Sequence, residues 1–122
     1  MTRLTSEFWI SAYLKRLRAR AIPAFITKKG DATSGNIIIK INTLDGNAES
    51  YCKSYNFDED KWYWDTLKLG SDFEVENSLS KQKAIDQDLW IIEVEDKLGR
   101  HLLNEEGCWG NNLLWIGAKK VF

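Results

Sequence analysis

Asp88, Glu93 and Glu95 stand close together in DQDLWIIEVED, residues 86–96. Carboxylates grouped like this suit two chemistries. One acid can protonate while another takes up a proton, or together with Asp45 or Asp88 they can ligate magnesium. In an extended strand Glu93 and Glu95 share a face about 7 Å apart, so they are the candidate catalytic pair, with Asp88 as a third acid. A metal-dependent nuclease core also asks for a lysine two residues after a strand acid. Glu49-Ser50-Tyr51 lacks it, and Lys53 lies four positions beyond Glu49. The competing reading is structural: Glu93 and Glu95 pair with cross-strand lysines such as Lys40 or Lys53, or face water.

Other catalytic devices find less support. His101 is the single histidine, and Cys52 and Cys108 are far apart outside any CxxC pattern. A zinc site of the usual His/Cys type is therefore not expected, nor is any other metal or cofactor. A Cys108–His101 nucleophile pair lacks a recognisable third group, and His101 is expected in an exposed turn after Gly99. No P-loop and no GxGxxG occurs; Gly107 and Gly110 merely flank Cys108-Trp109.

Aromatic residues offer a different function. The chain has six tryptophans. On a helix, Trp9, Tyr13, Arg16 and Arg20 form one strip, and Trp62 and Trp64 share one face of a strand with Tyr63 on the other. Trp, Tyr and Arg are the residues enriched at protein interfaces, and they also stack on bases. These six residues are the candidate binding set. A self-associating, non-catalytic interaction module is the favoured expectation. A metal-dependent hydrolase or nuclease using the strand acids is the alternative, and nucleic-acid binding through the basic first helix is a further one.

The elements that must hold these residues follow from periodicity. LTSEFWISAYLKRLRARA predicts a helix capped by Thr5 or Ser6 and stopped by Pro23, with Ile10, Leu14, Leu17 and Ala21 facing the core. AFITKK (24–29), NIIIKIN (36–42), ESYCKSY (49–55) and LWIIEVE (89–95) read as strands, and WYWDTLKL (62–69) as a strand or an irregular apolar segment. Ser71-Asp72-Phe73-Glu74 is a capping box opening a second helix to about Ile85. The tail, residues 104–122, is an edge strand or a docked extension. The expected architecture is one α+β domain over 1–122, of order α-β-β-β-β-α-β. Four to six mainly antiparallel strands carry two helices packed on one face. The expected core includes Ile10, Leu14, Leu17, Ile39, Leu79, Trp90 and Ile92. Asp88 is expected to start its strand, turning Trp90, Ile92 and Val94 inward and Glu93 and Glu95 to the other face.

KKGDATSGNIIIKINTLDGNAESY (28–51) and DQDLWIIEVEDKLGR (86–100) resemble the two most recognisable segments of a small bacterial family, domain of unknown function family 1491. RLTSEFWISAYLKR (3–16) resembles its N-terminal helix, and the similarity covers roughly residues 3–103. The motifs are Gly30-Asp31, Gly35, Leu44-Asp45-Gly46, and Asp88-Leu89-Trp90 with Glu93 and Glu95. Gln87 departs from the pattern, which usually has proline there. The resemblance implies a compact cytoplasmic domain and brings no activity, so no functional residue is carried over.

Composition sets the outer bounds. With 43% hydrophobic and 29% charged residues the chain has material for a core and is not disordered. No run of 18 apolar residues occurs, so no membrane partner is expected. The start lacks the apolar region of a signal peptide, and reduced thiols fit a cytoplasmic location. Residues 1–30 carry Arg3, Lys15, Arg16, Arg18, Arg20, Lys28 and Lys29 against Glu7, a balance of +6, while the net charge of −1 leaves −7 for the rest. A basic helix lying against an acidic remainder, of its own fold or of a second copy, accounts for that split. With a pI of 5.8 it favours a homodimer over a nucleic-acid partner.

Overall fold

The computed structural model describes residues 5–104 and 113–117, the side chains of positions 55, 61, 62 and 113–117 excepted. The elements run α1 (Ser6–Ala19), β1 (Ala24–Lys28), β2 (Ile37–Asn42), β3 (Asn47–Asn56), β4 (Lys61–Ser71), α2 (Asp72–Ile85), β5 (Trp90–Glu95) and β6 (Leu113–Gly117). The strands form one sheet in the order β1-β5-β2-β3-β4-β6. Among β1 to β5 the pairing is antiparallel except for β2 with β5, and β6 lies parallel to β4. This is an α+β fold in the expected element order, and WYWDTLKL proves to be strand.

Local chemistry explains the boundaries. The Thr5 hydroxyl accepts the Phe8 N–H at 3.2 Å and opens α1. Ser71 and Glu74 close a reciprocal capping box on α2, at 3.1 and 3.0 Å. After α1 the chain turns through Ala21 at φ 60°, and Pro23 precedes β1.

The helices do not share a face, contrary to expectation. Ile37, Ile39, Ile41, Trp90, Ile92 and Val94 pack with Trp9, Ile10, Tyr13, Leu14 and Leu17 of α1. Ile38, Ala48, Leu89 and Ile91 pack with Val75 and Leu79 of α2 on the opposite side. Strand alternation forces this: Ile37 and Ile38 cannot both point under one helix. β2 is buried along Ile37–Ile41, the pattern of a strand covered on both faces. Ile10, Leu14, Leu17, Ile39, Leu79, Trp90 and Ile92 are all buried as expected, Trp90 at 1% exposure, but Ala21, expected on the same helical stripe, lies past the end of α1 and is exposed.

The long β3–β4 hairpin outruns β2. β3 pairs with β2 through Ala48–Cys52, whereas its pairing with β4 continues to Asn56. β6 lies along the outer side of this extension, with Trp62 opposite Leu113 and Trp64 opposite Trp115 in register.

Candidate functional site

Glu93 leads directly to the most unusual charge in the molecule. β2 and β5 run side by side with Lys40 opposite Glu93. Both side chains point to the α2 face, where Lys40 is only 3% exposed. Its ammonium reaches Glu76 Oε2 at 2.5 Å, Asp72 Oδ1 at 2.6 Å and Glu93 Oε1 at 3.7 Å. The Glu76 contact is a directed hydrogen bond, and the Asp72 oxygen stands at ion-pair distance. Asn42 donates to the other Glu93 oxygen at 3.4 Å. Burial alone would lower the Lys40 pKa, but the contacts with Asp72 and Glu76 and the charge of Glu93 outweigh it and raise the value. The amine therefore stays protonated and is no nucleophile or base. The cluster ties the N-terminal half of α2 to β2 and β5. One half of the structural expectation is met, with Glu93 paired to Lys40.

The residues of the two sequence motifs build turns. The Asp31 carboxylate accepts the N–H groups of Thr33 and Ser34 and the Ser34 hydroxyl, at 3.2, 2.9 and 3.3 Å. The Ser34 backbone bond leads in holding the Asp31 pKa below its usual value. The Asp31 carbonyl accepts the Trp90 indole N–H at 2.7 Å, and its N–H donates to the Asp88 carbonyl at 3.0 Å. Gly30 and Gly35 are required by crowding: a Cβ at either would lie 2.1 or 2.3 Å from the Asp88 oxygen. The same loop receives α1. Ser6 Oγ donates to the Gly35 carbonyl at 2.6 Å, and the N–H groups of Ser6 and Glu7 donate to Thr33 and Ala32. The second turn works alike. Asp45 accepts from the Thr43 hydroxyl at 2.6 Å and the Asn47 N–H at 3.1 Å, and Gly46 carbonyl accepts the Asp72 N–H at 2.8 Å.

On the α1 face, Trp9 stacks on Tyr13 with centroids 4.8 Å apart and leans on Trp64 at 5.3 Å. The Tyr13 hydroxyl donates to the His101 carbonyl at 2.7 Å, and the Tyr51 ring meets His101 edge-on at 5.2 Å. His101 Nδ1 accepts the Leu103 N–H at 3.1 Å. Burial pushes the imidazole pKa down to about 4, so the ring is neutral at pH 7. Tyr51 is pushed up by burial and by its hydrogen bond to Glu49. His101 is thus half-buried against the Tyr51 ring rather than in an exposed turn.

The candidate residues separate accordingly. Asp88 does not start the strand. It sits in a turn, its N–H donating to the Asp86 carboxylate at 3.0 Å, and β5 begins at Trp90. Asp88 therefore stands before the strand that carries Glu93 and Glu95. Glu95 is half-buried, two positions beyond Glu93 on the same face. Among the described residues no group of three His, Cys, Asp or Glu is arranged to hold a metal ion. Trp9, Tyr13 and Trp64 are buried, which removes them from the expected binding strip, because a core-facing helix buries a stripe wider than Ile10, Leu14 and Leu17 alone. Arg16 is half-buried and Arg20 exposed. The Trp62 side chain and Cys108 lie outside the described residues. Burial raises the Cys52 thiol pKa, which leaves it protonated at pH 7. Sequence reasoning missed the burial of Lys40. The signal was its place inside the apolar run NIIIKIN.

A small α+β sheet covered by one helix on each face, with its sequence motifs spent on turns, defines the class. The chain belongs to the family described as protein of unknown function (DUF1491), whose model matches residues 4–104. It is similar to the crystal structure of a DUF1491 family protein from Caulobacter crescentus CB15, at 26% identity and TM-score 0.76, over 84% of this chain and 97% of that one. The NMR structure of a DUF1491 family protein from the same organism matches in fold at 24% identity and TM-score 0.73, covering 83% and 93%. A solution structure of a protein from A. tumefaciens matches at 27% identity and TM-score 0.66, covering 77% and 86%. No curated protein matches the chain.

Proposed function

We propose that this protein is a non-catalytic interaction module of the cytoplasm that associates with itself. The observation that carries the reading is the set of large apolar side chains left outside the two cores. Phe8, Phe73, Ile85 and Leu98 are each at least 60% exposed. Exposed aromatic and aliphatic side chains are anchors that a partner can cover. Glu93, the acid with most claim to chemistry, is occupied by Lys40. Sedimentation velocity across a hundredfold range of concentration tests the reading. A rising weight-average mass supports it, and a monomer throughout counts against it. Magnesium or manganese binding that disappears in Glu93→Gln would instead favour the hydrolase. Salt-dependent retention on RNA or DNA, lost on replacing Arg16 and Arg20 by alanine, would favour the nucleic-acid binder.

A further inference from the structure

α2 is fastened to the sheet more lightly than α1. Ser6, Trp9, Ile10, Tyr13, Leu14 and Leu17 of α1 are buried, against Val75 and Leu79 alone in a helix of the same length. Past Leu79, residues 80–85 of α2 include none that is buried. Beneath Val75 and Leu79 lie Ile38, Ala48, Leu89 and Ile91, with half-buried Cys52 and Leu67 at the margin. Few buried apolar contacts are the mark of a segment that opens by itself, at less cost than global unfolding.

The ends of α2 are held independently of its packing. Gly70 and Ser71 pair with Ala48 and Asn47 of β3. At the other end, Asp86 Oδ2 accepts the Asn36 side-chain amide at 3.4 Å, the Asp88 carbonyl accepts the Asp31 N–H at 3.0 Å, and the Trp90 N–H donates to the Asn36 carbonyl at 2.8 Å. None of these bonds involves residues 73–85, so the helix can leave the sheet without releasing β4 or β5. What closes it, besides Val75 and Leu79, is buried Lys40. The ammonium meets Asp72 and Glu76 from the helix and Glu93 from β5. Opening returns Asp72 and Glu76 to water, leaves Lys40 with Glu93, and uncovers the apolar side chains of β2 and β5 beneath the helix.

We propose that α2 is a latched flap. It leaves the sheet as a unit while α1 and β1 to β5 stay folded, and the Lys40 cluster sets how often it does so. The motion does not depend on the self-association proposed above.

Native-state hydrogen exchange, read by NMR on the full chain, tests it. The amides from Glu76 to Ile85 should exchange through an opening about tenfold or more frequent than the one that exposes the most protected β2 and β5 amides. Variants separate a flap from global unfolding. The mild Ile10→Val weakens the α1 core, which stays formed when α2 opens. It should speed exchange at the protected β2 and β5 amides about severalfold and leave α2 unchanged. Lys40→Met and the gentler Glu76→Gln weaken the closed state itself. Exchange in α2 should rise about tenfold or more in the first and severalfold in the second. Thermal melts verify folding, and Glu76→Gln decides alone if Lys40→Met does not fold. An α2 that exchanges at the β2 rate in wild type, or that speeds up with the sheet in Ile10→Val, overturns the flap. An α2 opening that Glu76→Gln and a folded Lys40→Met leave unchanged overturns Lys40 as the latch.

Discussion

On the α1 face of the sheet, Trp9, Tyr13, Trp64 and Trp90 pack among isoleucines and leucines in one continuous cluster; the Tyr13 hydroxyl and the Trp90 indole N–H are hydrogen-bonded there, while the Trp64 indole N–H is buried without a partner among the described residues. On the α2 face the helix contributes Val75 and Leu79, and a buried lysine with three carboxylates takes the place of further apolar contact. The first face is a core in the ordinary sense. The second is a thin apolar layer with an ionic clamp at its edge, and its helix keeps large apolar residues outside. Burial of apolar area and dispersion dominate stability, so the α1 face carries most of it. The α2 face is left free to present a surface.

The contrast breaks first at Trp90. Replacing it with alanine removes a fully buried indole together with the hydrogen bond that holds the Asp31 loop. The expected cost is about 3–5 kcal/mol, read from urea or thermal unfolding. Leu79→Ala probes the thinner layer. Its cavity lies under a helix with few other buried contacts and can collapse more readily, so a loss of about 2–3 kcal/mol is expected. A cost equal to that of Trp90→Ala would erase the distinction between the faces.

The smallest expected effect is a pH dependence confined to the α1 side. The His101 pKa falls from 6.5 to about 4 on folding. The unfolded chain therefore binds the proton first. The stabilisation is complete above pH 6.5 and is lost as the pH drops toward 4. Between pH 6.5 and 5, before most carboxylates titrate, stability should fall by about 1–2 kcal/mol. In His101→Asn, whose side-chain oxygen can still accept the Leu103 N–H, the slope in that window should flatten. An unchanged slope would assign the effect elsewhere.

Much of this was legible in the chain. The caps at Thr5 and Ser71, the strand alternation of LWIIEVE and the pairing of Glu93 with Lys40 follow from local rules. The placement of α2 did not, because the sequence says which residues of a strand share a face but not which helix covers it. One clue was present: β2 is apolar at Ile37, Ile38, Ile39 and Ile41, and a strand apolar on both sides needs cover on both. The candidate binding strip failed for a related reason. Trp9 and Tyr13 look like surface anchors when set against the stripe of Ile10, Leu14 and Leu17. Only the tertiary fold shows the two stripes buried as one. The Gly30-Asp31 and Leu44-Asp45-Gly46 turns were visible as turns. Their work, receiving α1 and α2, depends on partners distant in sequence.

The strand order has a consequence for how the chain is made. β1 has one neighbour in the described sheet, β5, and Ala24 pairs with Val94. Seventy residues separate them, and β5 is also the strand that joins β1 to β2. At about 5–20 residues per second, roughly 4–14 s pass during synthesis before β1 can find its place. Until then β2, β3 and β4 can assemble as a meander with α2 behind them and α1 against Ile37, Ile39 and Ile41, while β1 waits unpaired. A strand translated early is among the last to be locked, and a chain interrupted before Trp90 cannot close its larger core.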